Sequence, residues 1–144
     1  MRCIIIRRCS GGGLAQGGAI YPSASTITIC GSTLSGNSAR NGGAVLSHAA
    51  LTVTHSTVTA NSADLGGGIL NSGGSVMALG TIVAGNRAAV SGPDVNGPAT
   101  SSGFNLVGNT AGSSGFGAAG DLLNVDPRLG PLANNGGQTL THAL

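Results

Sequence analysis

Few residues of this chain could carry out acid–base chemistry. Its carboxylates are four aspartates, Asp64, Asp94, Asp121 and Asp126, and it has no glutamate. A polysaccharide lyase or hydrolase needs clustered carboxylates with cationic partners, either to bind calcium or as an acid–base pair. These aspartates are dispersed, and Asp94 and Asp126 adjoin prolines, as turn residues often do. The pattern therefore predicts no catalytic residues, and we expect the chain not to be an enzyme.

Two further patterns could bind a metal or a cofactor. His48 and His55 are close in sequence, but His142 is remote and no third ligand stands near the first pair. The segment 115–120 matches G-x-G-x-x-G, yet Asp121 follows at once, and neither the flanking strand and helix nor the later acidic residue of a dinucleotide site is present. We expect no metal and no cofactor.

Composition limits the partners and the compartment. A net charge of +2, spread over the chain, is too small to indicate nucleic-acid binding. Aromatic residues are 2% and tryptophan is absent, which argues against a platform for stacking sugars. No apolar run is long enough to span a membrane, and the N-terminal sequence is not a signal peptide. The cysteines, Cys3, Cys9 and Cys30, are odd in number, so they cannot all pair within the chain; a Cys9–Cys30 disulfide stays open.

An internal repeat predicts the secondary-structure elements that position the aspartates and histidines. Three copies span 17–39, 41–63 and 66–88, each opening on Gly-Gly and closing near an asparagine, at steps of 24 or 25 residues. A fixed period of this size indicates one structural unit stacked on itself. Apolar and small polar residues alternate within each copy, as in Ile27–Cys30, which is typical of half-buried strands. The sequence therefore predicts an all-β, right-handed parallel β-helix of three to four rungs, with an irregular C-terminal β segment.

Alignment of the copies predicts which residues stack. The inward columns are Ile20/Val45/Ile69, Ile27/Leu51/Val76, Ile29/Val53/Ala78 and Leu34/Val58/Val83. The outward columns are Thr28/Thr52/Met77, Cys30/Thr54/Leu79 and Ser35/Thr59/Ala84, which leave no flat threonine face of the ice-binding kind. Ala19/Ala44/Gly68 is expected on the opposite face from the first inward column. Asn37, Asn61 and Asn86 should form a structural ladder at a turn, with their amides hydrogen-bonded along the axis.

The chain divides into three parts on this basis. Residues 1–16 are expected to be a partial rung, with Ile4–Ile6 aligned on Ile27–Ile29, and residues 17–88 to be the three rungs. Residues 89–144 form the C-terminal segment. Within it, 91–98 is expected to be a turn-rich excursion, and 102–108 a short strand that offers Phe104 or Leu106 to the core.

Short sequence motifs in the repeats and in the C-terminal segment resemble those of known families. Gly17-Gly-Ala-Ile-Tyr21 and Thr81-Ile-Val-Ala-Gly-Asn86 resemble the β-helix repeats of bacterial surface proteins, including polymorphic outer-membrane-protein repeats. The tail, with Ser102-Gly-Phe-Asn-Leu-Val-Gly108, Asp121-Leu-Leu-Asn-Val-Asp-Pro127 and Thr141-His-Ala-Leu144, is similar to the choice-of-anchor Q domain. That family normally has a signal peptide and continues past the tail, so the resemblance implies a chain truncated at both ends.

The resemblance implies a function but no functional residues. It suggests a non-catalytic structural or adhesive (adhesin-like) segment of an exported bacterial protein, at the cell surface or secreted. Its partner would be an unknown surface ligand or cell-envelope component, and open rung ends could allow end-to-end self-association. The alternative is a fragment of a carbohydrate-active β-helix, a polysaccharide lyase or hydrolase, whose catalytic rungs lie elsewhere.

Overall fold

The computed structural model describes residues 5–7, 16–21 and 25–144, and these contain strands and turns but no helix. The strands are β1 (Ile5–Arg7), β2 (Ile27–Cys30), β3 (Thr33–Ser35), β4 (Val45–Ser47), β5 (Ala50–Thr54), β6 (Thr57–Thr59), β7 (Ser62–Leu65), β8 (Ile69–Asn71), β9 (Ser75–Leu79), β10 (Ile82–Ala84), β11 (Arg87–Ser91), β12 (Val95–Pro98), β13 (Thr100–Ser101), β14 (Leu106–Val107), β15 (Ser113–Ser114), β16 (Leu122–Leu123), β17 (Leu132–Ala133) and β18 (Thr141–His142). It follows that no helix in the described residues could span a membrane.

Strands from successive rungs pair in parallel and build the faces of a solenoid. One face has six strands, in the order β1-β3-β6-β10-β14-β16. A second has β2-β5-β9-β13 and a third has β4-β8-β12-β15, while β7 pairs with β11 at a further corner. The last pair, β17 with β18, is antiparallel. The predicted parallel β-helix is confirmed, with about three regular turns and an irregular C-terminal β segment.

The inward columns stack in the predicted register. Leu34 aligns with Val58 and Val58 with Val83, and all three side chains are at most 1% exposed. The other three columns pair in the same way, through β2-β5-β9 and through β4-β8 with the bridge from Ile20 to Val45. Their apolar side chains form one continuous core along the axis. Burial of this core is the main force that stacks the rungs.

The core continues past the third copy, where the sequence predicted an excursion. Val95 pairs with Ile69 and extends the first inward column, so the expectation of a turn-rich loop over 91–98 is wrong. In β14, Val107 is fully buried on the Val83 column and Leu106 is half-buried, whereas Phe104, which precedes this strand, is 72% exposed. The expected core residues were therefore wrong because the inward position is set by pairing with Val83.

Two expectations about the early rungs also need correction. Ala44 is fully buried within the apolar core, so its column does not lie opposite the Val45 column. The reason is local: the N–H groups of Ala44 and Val45 both donate to the carbonyl of Gly68, so the strand alternation begins only at β4. β1 pairs with β3, not with β2, which contradicts the expected alignment of Ile4–Ile6 on Ile27–Ile29.

The C-terminal segment contacts the outer side of the six-stranded face at β3. Ser35, Thr59 and Ala84 point away from the core in register, yet each is at most 5% exposed. In β18, Nε2 of His142 lies 3.0 Å from Oγ of Ser35, and Nδ1 lies 2.7 Å from the carbonyl oxygen of Gly130. The neutral Nδ1–H tautomer fits, since it donates to Gly130 and accepts from Ser35. This column is therefore covered where the sequence analysis placed it outward.

Candidate functional site

Asn37, Asn61 and Asn86 form a buried hydrogen-bonded ladder inside one corner of the solenoid, and they are 1%, 1% and 7% exposed. The backbone N–H and the Nδ2 of Asn37 both donate to Oδ1 of Asn61, each at 2.9 Å. Asn61 makes the same two bonds to Oδ1 of Asn86, at 3.0 and 2.9 Å. The Nδ2 groups of Asn61 and Asn86 also donate to carbonyls of their own and the preceding rung, such as that of Leu34. The ladder thus satisfies polar groups that burial would otherwise leave unpaired.

The ladder ends on Asp94, which is 1% exposed. Oδ1 of Asp94 accepts from the N–H and the Nδ2 of Asn86, at 3.0 and 2.8 Å, and Oδ2 accepts from the N–H of Asn109 at 2.7 Å. Every asparagine of the ladder donates to the next rung, so the series needs an acceptor at its end, and here the N–H of Asn109 requires the same group to accept on its other side as well. A carboxylate does so, whereas an amide nitrogen cannot accept. Asp94 lies in the bend before β12, as expected of a residue beside a proline, and its carboxylate is in addition the cap of the ladder.

A second buried column follows the same rule at another corner. Its members recur at steps of 24 or 25 residues and are Ser32, Ser56, Thr81 and Asn105, each at most 6% exposed. The N–H of Ser32 donates to Oγ of Ser56, and that of Thr81 to Oδ1 of Asn105. Asp121 ends this column: Oδ1 accepts from the N–H and the Nδ2 of Asn105, at 2.9 and 3.1 Å. Both columns therefore finish, at their C-terminal end, on an aspartate.

Asp121 also explains the glycine-rich segment 115–120. Oδ2 of Asp121 accepts from the N–H of Gly117 at 2.9 Å and from the N–H of Ala118 at 3.0 Å. A nucleotide site would need such amides to point at phosphate oxygens. Here they bind the chain's own carboxylate, and the neighbouring strand is the two-residue β15. The motif is a turn that completes the cap.

The two caps differ in their protonation equilibria. Burial raises the pKa of Asp94, and the hydrogen bonds from Asn86 and Asn109 offset this only in part. Burial also acts to raise the pKa of Asp121, but this carboxyl lies nearer to solvent. Hydrogen bonds from Ser101, the N–H groups of Asn105 and Gly117 and the Asn105 amide dominate there, and they lower the pKa of Asp121 to about 2.

The remaining candidate residues are dispersed. Asp126 is exposed and accepts from the N–H of Arg128 in a local turn. His48 is exposed, with its Nδ1 2.7 Å from the carbonyl oxygen of Ser72. His142 lies on the C-terminal segment as described above. Among the described residues no three His, Cys or Asp side chains gather where they could hold a metal ion.

Sequence reasoning missed the caps and the second column. The signal was present, because Ser32, Ser56, Thr81 and Asn105 keep the step of the repeat. It was hidden because the residue type changes from rung to rung while the position stays the same. Asp94 gave no comparable signal, because in the repeat it is equivalent to Ala44 and Gly68 and not to the asparagines.

The fold and its buried ladders define a class, the parallel β-solenoids. Comparison of the chain with family models, with curated proteins and with solved structures finds no match.

Proposed function

We propose that this chain is a non-catalytic structural or adhesive segment of an exported bacterial surface protein. The observation that carries the non-catalytic part of the proposal is the use of two carboxylates, one buried and one half-buried. Asp94 and Asp121 direct both oxygens at N–H donors of the solenoid itself. A general acid or base needs a lone pair or a proton available to a substrate. These two aspartates have a structural task instead, which is to end the ladders that tie the rungs together.

The axial hydrogen bonds also suit a load-bearing or spacing element. Each rung is joined to the next by strand pairing and by buried side-chain bonds at two corners. The stability of such a stack is a sum of the stabilities of its rungs and of the interfaces between them, so further rungs can be added through the same interactions. The resemblance to surface-protein repeats and to a choice-of-anchor Q domain points in the same direction. The ligand would be a surface or cell-envelope component.

The experiment is a test of location. Antibodies against the purified chain are applied to intact cells of the source bacterium, before and after treatment with an external protease. We expect labelling that the protease removes, with a cytoplasmic protein as the control that it leaves intact. Labelling that appears only after lysis would contradict the surface role.

The alternative is a fragment of a carbohydrate-active β-helix, and one feature favours it. Asp64 is exposed on β7, and its N–H donates to the carbonyl of Arg40 on the preceding rung, so a carboxylate and a guanidinium belong to neighbouring rungs of one corner. Because the catalytic rungs of this alternative lie outside the chain, its test is polysaccharide cleavage by a longer protein that includes the chain. Cleavage that is weakened by Asp64→Asn but retained in Asp126→Asn would support this alternative. Equal activity in all three proteins would exclude a role for Asp64.

A further inference from the structure

One corner of the solenoid carries a column of residues that share a left-handed backbone. Hydrogen bonds from each N–H to the following rung align Gly31 with His55, His55 with Gly80, Gly80 with Phe104 and Phe104 with Gly120. Their φ angles are 55°, 47°, 57°, 57° and 80°. Glycine adopts this conformation without a steric penalty, whereas a residue with a bulky side chain adopts it only at a steric cost. The column therefore alternates between glycines, which tolerate the left-handed conformation, and the ring-bearing residues His55 and Phe104, which are strained in it.

The two rings lie over the glycines that follow them. A side-chain carbon added at Gly80 would lie 3.1 Å from Cδ2 of His55, and one added at Gly120 would lie 2.5 Å from Cδ1 of Phe104. Glycine at these positions thus makes room for a ring held against the rung. Both rings stay largely open to solvent, and Phe104 is 72% exposed. Phe104 accordingly bears backbone strain with little burial in return, a combination that points to a function outside the fold.

The spacing of the rings defines what could lie along them. His55 and Phe104 are two rungs apart, and two ladder steps amount to about 10 Å along a straight axis. The half-buried Thr54 and Thr57 flank His55 and supply hydroxyl groups there, while Leu106 is the counterpart of Thr57 beside Phe104. No Asp or Arg belongs to the column or to these flanking positions, which argues against a charged ligand.

We propose that His55 and Phe104 form a binding line for an extended, uncharged polysaccharide. Sugar rings present apolar C–H faces that pack on aromatic rings, and their hydroxyls bond to threonine and imidazole groups. An extended chain can lie along the corner and meet both rings, and we expect a coiled polysaccharide to fit this line less well. The low aromatic content had argued against such a platform, but the fold brings the few rings to one line. The proposal gives the adhesive role a ligand class, and it rests on that proposed function.

The test uses the purified chain and three polysaccharides: cellulose and chitin as extended uncharged chains, and amylose as a coiled one. We expect retention on at least one of the first two and none on amylose. Phe104→Gly and His55→Gly should each weaken retention about tenfold or more. Because glycine relieves the left-handed strain, both variants should melt at the same temperature as the parent chain or higher. Lost binding therefore cannot be attributed to unfolding.

Val90→Gly is the matched control, since Val90 is 74% exposed on β11, away from this corner. It should retain full binding, which excludes general adsorption to apolar surface. Failure of the parent chain to bind cellulose and chitin, or equal binding by all variants, would overturn the proposal. Self-association that Phe104→Gly abolishes, without glycan binding, would also overturn it and indicate a second copy as the ligand. None of these results bears on surface location, which the protease experiment measures separately.

Discussion

Replacing Asp94 with asparagine changes one group on the cap and almost nothing in its shape. The carboxylate accepts on both oxygens, from Asn86 at Oδ1 and from Asn109 at Oδ2. An asparagine can turn its carbonyl to one of these partners only, so its NH₂ must face the donor of the other. The chain then loses a hydrogen bond to a charged acceptor, about 1.5–3 kcal/mol, and gains a buried donor–donor contact. Removal of a buried charge offsets part of this loss.

The expected net loss for Asp94→Asn is about 2 kcal/mol in the free energy of unfolding. Asp94→Ala removes this acceptor from the N–H groups of Asn86 and Asn109 and one of the acceptors of the Asn86 Nδ2, and should lose about 3–5 kcal/mol. The raised pKa of Asp94 does not predict tolerance of asparagine. A protonated carboxyl keeps a lone pair on each oxygen and can turn its O–H aside, whereas an amide nitrogen has no lone pair to offer.

The assay is urea unfolding followed by circular dichroism at neutral pH. Asp64→Asn is the matched control, because Asp64 is exposed, and it should change stability by no more than about 0.5 kcal/mol. Combining Asp94→Ala with Asn86→Ala should be less harmful than the sum of the two single losses, because the two residues share the same hydrogen bonds. Equal stability of Asp94→Asn, Asp94→Ala and the parent chain would refute the cap.

Three further predictions follow from the same geometry. Asp121→Asn should lower the free energy of unfolding at neutral pH. The pKa of Asp121 in the folded chain, about 2, lies below the ordinary value of 3.8, so the stability that this carboxylate contributes is present above pH 4 and is lost towards pH 2. The urea unfolding curves of variant and parent should therefore converge in acid. Asn61→Asp replaces the Nδ2 that donates to Oδ1 of Asn86 with an oxygen, so that two acceptors face each other. We expect the free energy of unfolding to fall by about 3 kcal/mol or more at neutral pH and to recover in part in acid, as measured by the same urea titration. Gly67→Ala places a methyl group against the backbone carbonyls of neighbouring rungs and should prevent folding as seen by circular dichroism, while Gly137→Ala, which meets nothing closer than 3.6 Å, should fold normally.

Much of the solenoid could be predicted because the repeat is strict where the core requires it. Leu34, Val58 and Val83 keep their type and spacing, since each fills the same space above its neighbour. Phe104 was placed wrongly because hydrophobicity alone favoured the core. The register with Val83 selects Val107, and the corner places Phe104 outside in a left-handed conformation.

The caps could not be predicted from the repeat because they are departures from it. Asp94 occupies the position of Ala44 and Gly68, and only the folded chain shows that its carboxylate reaches the end of the asparagine ladder. Burial of Ser35 was missed for a related reason. His142, which covers it, lies 107 residues further along the chain, and no local pattern connects the two.

Hydrogen exchange of the asparagine side-chain amides, followed by NMR, tests the buried ladder most directly. The Nδ2 groups of Asn61 and Asn86 donate to buried acceptors, so their exchange should require unfolding of the rungs. Asn134 lies in an exposed turn and provides the fast reference. We predict exchange of Asn61 and Asn86 that is slower by orders of magnitude, and faster exchange of Asn86 in Asp94→Ala. Exchange of Asn61 and Asn86 as fast as that of Asn134 would contradict the ladder and the role of its cap.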